Sequence, residues 1–317
     1  MWIQSLFSYF KQAVFTLLGI SFIMFSLTML STDDLAKQLI TGSEDIIVSQ
    51  EQIDAVKKEL GLDRPFLVQY GSWLFHAVQG DFGFSYMAKK PVIDKILECL
   101  PATLFLSAVS LSMMLVIAVP LGILSAFKSN RFYDYLIRSI SFLGISIPGF
   151  WVGLMLLWFF GLRLGWFPVV SSTVRLDTVI LPALTLAVNM SAKYTRQVRS
   201  AVLEELGQDY VIGAKARGMS NFYILWKEVL PNALLPLLTI FALSAGSLLG
   251  GAAVAEIVFG WPGLGKLAVN AIEYRDFQLL QGVVIWIASI YMLINICVDL
   301  SYSHLDPRLK KKEHSHG

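Results

Sequence analysis

Charge is scarce in this chain. Of its 317 residues only 15% are Asp, Glu, Lys or Arg, while 56% are hydrophobic. That balance excludes an ordinary soluble domain of this length and indicates an integral membrane protein. Cysteine is nearly absent: Cys99 lies at the foot of one apolar run and Cys297 inside another, so the two read as thiols and not as a disulfide. Histidine is limited to His76, His304, His314 and His316, with no HExxH or CxxC spacing anywhere. No metal centre and no catalytic set follow from such a pattern, and the chain reads as a non-enzyme. The terminal Glu313-His314-Ser315-His316 reads as a polar tail, and His76 as a solvated side chain. Ionisable groups are also missing from the apolar interiors, since Asp299 and Glu256 fall near span ends and Lys193 and Arg196 flank another span. An ion-coupled carrier buries an acid or a histidine at mid-membrane, so the energy for any transport must come from elsewhere. The net charge of +2 is spread over membrane-flanking loops and offers no face for nucleic acid.

What is abundant is long apolar sequence. Hydropathy marks six spans, at 13–30, 102–127, 139–161, 178–192, 232–255 and 279–300, giving an all-α membrane protein with six transmembrane helices. The first run is longer than the apolar core of a signal peptide and is read as a retained span. Basic residues set the orientation. With both termini inside, the cytoplasmic side carries Lys11, Lys128, Arg131 and Arg138, the series from Lys193 to Lys227, and the tail Arg308, Lys310, Lys311 and Lys312. The other side carries Arg163, Arg175, Lys266 and Arg275 in its short loops.

Between the first two spans, residues 32–100 form a segment far longer than a connector requires. A small external helical cap is expected there. Ser49-x-x-Gln52 makes a capping box before the apolar stripe Ile53, Val56 and Leu60, and Gly61 ends that helix. Pro65 opens a second helix over 66–78 carrying Tyr70, Trp73 and Leu74. The whole chain thus divides into 1–31 (first span), 32–100 (cap) and 101–317 (core with five spans). In the fifth span the small residues Ser244, Ser247, Gly250 and Gly251 allow a neighbouring helix to approach closely or leave room for a pathway; residue size alone leaves both readings open.

Two loop motifs must be distinguished. Gly260-Trp-Pro-Gly-Leu-Gly265-Lys266 imitates a phosphate-binding loop, but Leu267 stands where Ser or Thr would hold magnesium, and a transmembrane helix precedes it instead of a strand. It reads as a tight external turn. The cytoplasmic segment 193–231 is different, because it contains a polar helix-turn-helix that a bare connector would not need. Asp209 caps a short helix, Gly218 ends it in the left-handed conformation, and Ser220 caps a second helix that stops at Pro231.

That helix-Gly-helix resembles the EAA loop of permease subunits in bacterial ABC importers. Ala214 and Ala216 precede Gly218, and Leu230-Pro231 follows about a dozen residues on. The acidic residue that names the loop is replaced by Ile212, Gly213 stands for the first alanine, and Glu228 takes a usually apolar place, departures typical of the peptide and nickel branch. Further segments look like the first permease subunit of that branch: Leu60-Gly-Leu-Asp-Arg-Pro65, Gly80-Asp-Phe-Gly83-x-Ser85, Leu100-Pro-Ala-Thr103, Phe259-Gly-Trp-Pro-Gly-Leu-Gly265, Arg275-Asp276 and Leu305-Asp-Pro-Arg308. The chain is therefore identified as a member of the dipeptide, oligopeptide and nickel permeases.

The resemblance implies a type I permease fold in the bacterial inner membrane. It implies a second homologous permease subunit, two ATP-binding subunits that use ATP and magnesium, an extracytoplasmic binding protein, and membrane lipid as surroundings, with no cofactor held by this chain. Asp209, Tyr210, Ala214, Ala216, Arg217, Gly218, Leu230 and Pro231 would make up the ATPase-coupling loop. The stretches from Leu62 to Leu74, Pro91-Val-Ile-Asp94 and Phe142 to Trp151 look closer to nickel permeases than to dipeptide permeases. Nickel, free or chelated, is the expected cargo, with peptides as the alternative and an ion-coupled carrier as a more distant one.

Overall fold

The computed structural model describes residues 2–30, 58, 64–233, 237, 241, 244, 246, 248 and 252–305. The proposed capping box at Ser49 and its stripe Ile53, Val56, Leu60 lie outside these residues. The chain folds as two compact units, one made of Met1–Thr103 with Pro262–Met292, the other of Leu104–Trp261 with Leu293–Gly317.

In the first unit, α1 (Trp2–Leu30) contains a 22-residue apolar stretch, Ser8–Met29, long enough to cross a membrane. Helix α2 (Phe66–Val78) begins where Pro65 sets an extended entry and matches the expected bounds. It buries none of its own residues. It lies instead against α1, with Phe22 and Phe25 meeting Phe66, Tyr70 and Trp73 at ring separations of 5.4 to 5.8 Å. A hydrogen bond of 2.9 Å joins the Ser21 and Tyr70 hydroxyls. This part of the cap is thus an aromatic brace on the first span and does not enclose a core of its own.

The rest of that unit is fastened by segments far apart in sequence. A short antiparallel hairpin, β1 (Phe84–Ser85) with β2 (Lys90–Pro91), runs into α3 (Val92–Phe127). Asp276 caps α11 (Phe277–Leu305) by accepting from the Leu279 amide at 3.1 Å, and its other oxygen accepts from the Ser85 hydroxyl at 2.7 Å and the Met87 amide at 3.1 Å. Thr103 accepts from the Leu264 amide at 2.7 Å, holding the start of α10 (Leu264–Glu273). Val92, Ile96, Leu264, Leu279 and Val283 share one buried cluster.

In the second unit, α4 (Phe132–Ser146) and α5 (Gly149–Leu156, extended by a π-turn, Leu157–Arg163) are bent by 101° where a single span over 139–161 was expected. Pro148 has no amide proton and forces Ile147 into extended backbone (φ −86°, ψ 128°), which ends α4. Helix α6 (Leu176–Leu206) begins as the expected fourth span but continues 14 residues beyond Ala192, through Lys193, Arg196 and Arg199. Gly122 of α3 lets it approach: a Cβ there would stand 2.5 Å from that of Val198. Helix α7 (Asp209–Ala216) and α8 (Asn221–Ile224, followed by a π-turn, Leu225–Val229) come next. α9 (Ala253–Phe259) ends at Gly260 with φ +70°, ahead of the fully buried Trp261. The phosphate-loop imitation is therefore a turn between two helices built over a buried indole.

Among the described residues three helices, Ser8–Met29, Val92–Phe127 and Phe277–Val298, are long and apolar enough to cross a membrane, and the bent α4–α5 pair is a fourth if it counts as one span. The expected span 232–255 falls largely outside the described residues.

Candidate functional site

The segment from the end of α6 to Ala233 is closed by its own caps and turns. α7 ends in a Schellman motif: the Gly218 amide donates to the Lys215 carbonyl at 2.9 Å and the Met219 amide to the Ala214 carbonyl at 3.2 Å, with Gly218 at φ +80°. A left-handed residue there costs glycine little and any other residue about 1 to 2 kcal/mol. Ser220 caps α8 by accepting from the Tyr223 amide at 3.3 Å, as expected. Two expectations are corrected. The residue at the start of α7 is Gln208, without a side-chain cap, and Asp209 is the first helical residue, where its carboxylate favours the positive end of the helix. Pro231 does not stop α8 either: helix runs on through Leu230, Pro231, Asn232 and Ala233. The π-turn Leu225–Val229 just before Pro231 widens the backbone where a proline ring would meet the preceding turn, and the Asn232 amide group donates to the Glu228 carbonyl at 2.8 Å.

The two faces of this segment differ. Val211, Ala214, Ile224, Leu225, Val229 and Leu230 are buried, in one cluster with Met114 and Ala118 of α3, Val198 and Val202 of α6, and Leu237 and Phe241. Tyr210 is half-buried, and its hydroxyl donates to the Glu205 carboxylate at 2.6 Å. Burial first, and then that carboxylate, push its ionisation up to about 12. Asp209, Ala216, Arg217, Gly218 and Pro231 are exposed. So are three large apolar side chains: Ile212 at 59%, noted in the sequence only as the replacement for an acid, and Phe222 at 68% and Trp226 at 53%, which sequence reasoning passed over. The Phe222 and Trp226 rings lie 6.1 Å apart. Their signal was legible, since aromatic residues in a polar loop outside a span have no lipid to meet.

A second feature was also missed. Asp134 is wholly buried and accepts from Arg199 Nε and Nη2, at 2.7 and 2.8 Å, together with the Ser125 hydroxyl at 2.6 Å and the Asn130 amide at 2.9 Å. This clasp ties the turn between α3 and α4 to α6, the helix that leads into α7. Each carboxylate oxygen is doubly satisfied, the condition under which a buried ion pair holds geometry.

Among the fifth-span candidates, Ser244 is described and buried, whereas Ser247, Gly250 and Gly251 lie outside the described residues. His76 is exposed, with Nδ1 2.7 Å from the Ser72 carbonyl oxygen. No group of three or more His, Cys, Asp or Glu side chains comes together among the described residues.

Residues 118–311 match the family described as binding-protein-dependent transport system inner membrane component, and residues 3–107 match its N-terminal companion family. The chain belongs to this permease family. It is an inner-membrane, multi-pass transport subunit of a binding-protein-dependent ABC importer and not a catalytic one. A dipeptide transport system permease protein of Alkalihalophilus pseudofirmus is 36% identical, covering 93% of this chain and 95% of the relative. A glutathione transport system permease protein of Escherichia coli K12 is also 36% identical, covering 94% and 95%. The inward-facing MetNI methionine ABC transporter shares the permease fold at a TM-score of 0.58 and 20% identity, over 67% of this chain and 96% of that one.

Proposed function

We propose that this permease imports di- or oligopeptides, with a second homologous permease forming the other wall of the pathway. Two ATP-binding subunits, supplied with ATP and magnesium, would dock on segment 193–231, and an extracytoplasmic binding protein would deliver cargo. In this reading the chain crosses the membrane six times, α6 and 232–255 being the fourth and fifth crossings, with both termini cytoplasmic and 32–100 outside. Relatives named for dipeptides and glutathione support peptides over the nickel expected from local sequence likeness.

The observation that carries the coupling role is the single buried cluster that joins Val211, Ala214 and Leu230 to Met114, Ala118 and Val198. A displacement imposed on α7 therefore reaches α3 and α6 without a soft joint. The exposed Ile212, Phe222 and Trp226 supply apolar anchors for a partner groove. Uptake of a labelled dipeptide and of radioactive nickel, in cells with and without the gene, tests the cargo. Peptide uptake should disappear with the gene, and loss of nickel uptake alone would overturn the reading. Gly218→Pro should abolish uptake while the protein remains in the membrane, because proline can neither adopt φ +80° nor donate to Lys215.

A further inference from the structure

Between α4 and α6 lies a cleft of about 960 Å³ that the peptide reading does not use. Arg138, Lys193 and Arg196 line it, and among the described residues no carboxylate pairs with any of them. Arg138 and Lys193 lie over the faces of Tyr135 and Tyr194, 5.8 and 5.7 Å from the ring centres. The nearby acid, Asp134, is already occupied by Arg199, Ser125 and Asn130. Three uncompensated cations in one concavity call for an anion.

The remaining wall says which kind. Further along α4 from Arg138, toward the break at Pro148, the cleft is lined by Phe142, Leu143 and Ile145, which are 66%, 60% and 47% exposed. Arg138 and Arg196 stand toward the Asp134–Arg199 end of the cleft, Lys193 follows Ala192 beside Gly144 and so stands level with Phe142, and Leu143 and Ile145 carry the apolar wall on toward Pro148. Phe142 lies within the span expected over 139–161, where an acyl chain is the neighbour at hand. Lys193 follows Leu176 by about 26 Å of helix, close to the roughly 30 Å of hydrocarbon in a bilayer. Lys193 and Arg196 then sit at the level of the inner-leaflet headgroups, a placement that rests on the orientation proposed above.

We propose that this cleft binds the phosphate headgroup of an anionic inner-leaflet phospholipid, with its acyl chain along Phe142, Leu143 and Ile145. Basic pockets between helices on the cytoplasmic side suit such headgroups. The occupant would touch α6 just ahead of α7, on the element that transmits ATPase movement.

The test uses the assembled transporter in nanodiscs, with spin-labelled phosphatidylglycerol or phosphatidylcholine as the probe, and so does not depend on what is transported. The protein should favour phosphatidylglycerol. Arg138→Gln, Lys193→Gln and Arg196→Gln should each lower that preference roughly fivefold, and Arg138→Lys, Lys193→Arg and Arg196→Lys should keep it. Should one neutral variant fail to assemble, the other two still decide the matter. An unchanged preference in the neutral variants would overturn the site. Displacement of the lipid label by millimolar inorganic phosphate would reassign the site to a free anion, and displacement by a dipeptide would reassign it to cargo; either result sinks the lipid proposal. Peptide uptake lost with the gene, alongside an unchanged lipid preference in the variants, would leave the function standing and remove only this inference.

Discussion

Asp134 has no solvent exposure and four hydrogen bonds, so its loss leaves Arg199 without its partner in a mostly dry setting. Asp134→Ala should cost about 3 to 5 kcal/mol, and Ser125→Ala about 1 kcal/mol, both read from thermal unfolding of the purified protein. Tyr210 makes a pH-dependent contribution. Its hydroxyl must be protonated to donate to Glu205, and its ionisation is raised from the ordinary 10 to about 12 in the fold. The stabilisation is therefore complete below pH 10 and is lost as the pH climbs to about 12. Tyr210→Phe should flatten that part of the pH–stability profile; an unchanged slope would mean that the hydroxyl contributes nothing. Asp134 did not stand out in the sequence, where it is a lone acid among basic loop residues, and Tyr210 was expected as a coupling residue without its bond to Glu205. Only their long-range or half-buried partners make them matter.

Among the elements, α7 and α8 show how much local chemistry decides. Gly218 and Ser220 could be placed from residue type alone, because caps and left-handed turns are set within a few bonds, whereas the burial of Ala214 and Leu230 came only with the packing. The continuation past Pro231 could not, since proline ends helices unless neighbouring turns relax. Here a π-turn does so. The exposed Phe222 and Trp226 contribute little to the fold, so Phe222→Ala and Trp226→Ala should change stability by no more than about 0.5 kcal/mol. Copurification of the ATP-binding subunits should nevertheless fall, as measured by pull-down from membranes. Loss of stability without loss of copurification would show these side chains to be structural.

For the molecule as a whole, motifs separated by most of the chain meet. Ser85 and Met87 reach Asp276, and Thr103 reaches the amide of Leu264. Asp276→Ala removes a helix cap together with the tether to the hairpin and should cost about 2 kcal/mol or more, measured as a lowered unfolding temperature. Membrane insertion, the apolar runs, the helix at 66–78 and the turn at Gly218 follow from composition and local spacing, because desolvation of apolar runs and backbone capping are local energies. The break at Pro148 is local proline chemistry too, but the lengthening of α6 beyond Ala192, the Asp134–Arg199 clasp and the cationic cleft belong to tertiary structure. Each depends on which buried groups find partners tens of residues away, a choice made by packing and not by any one stretch of chain.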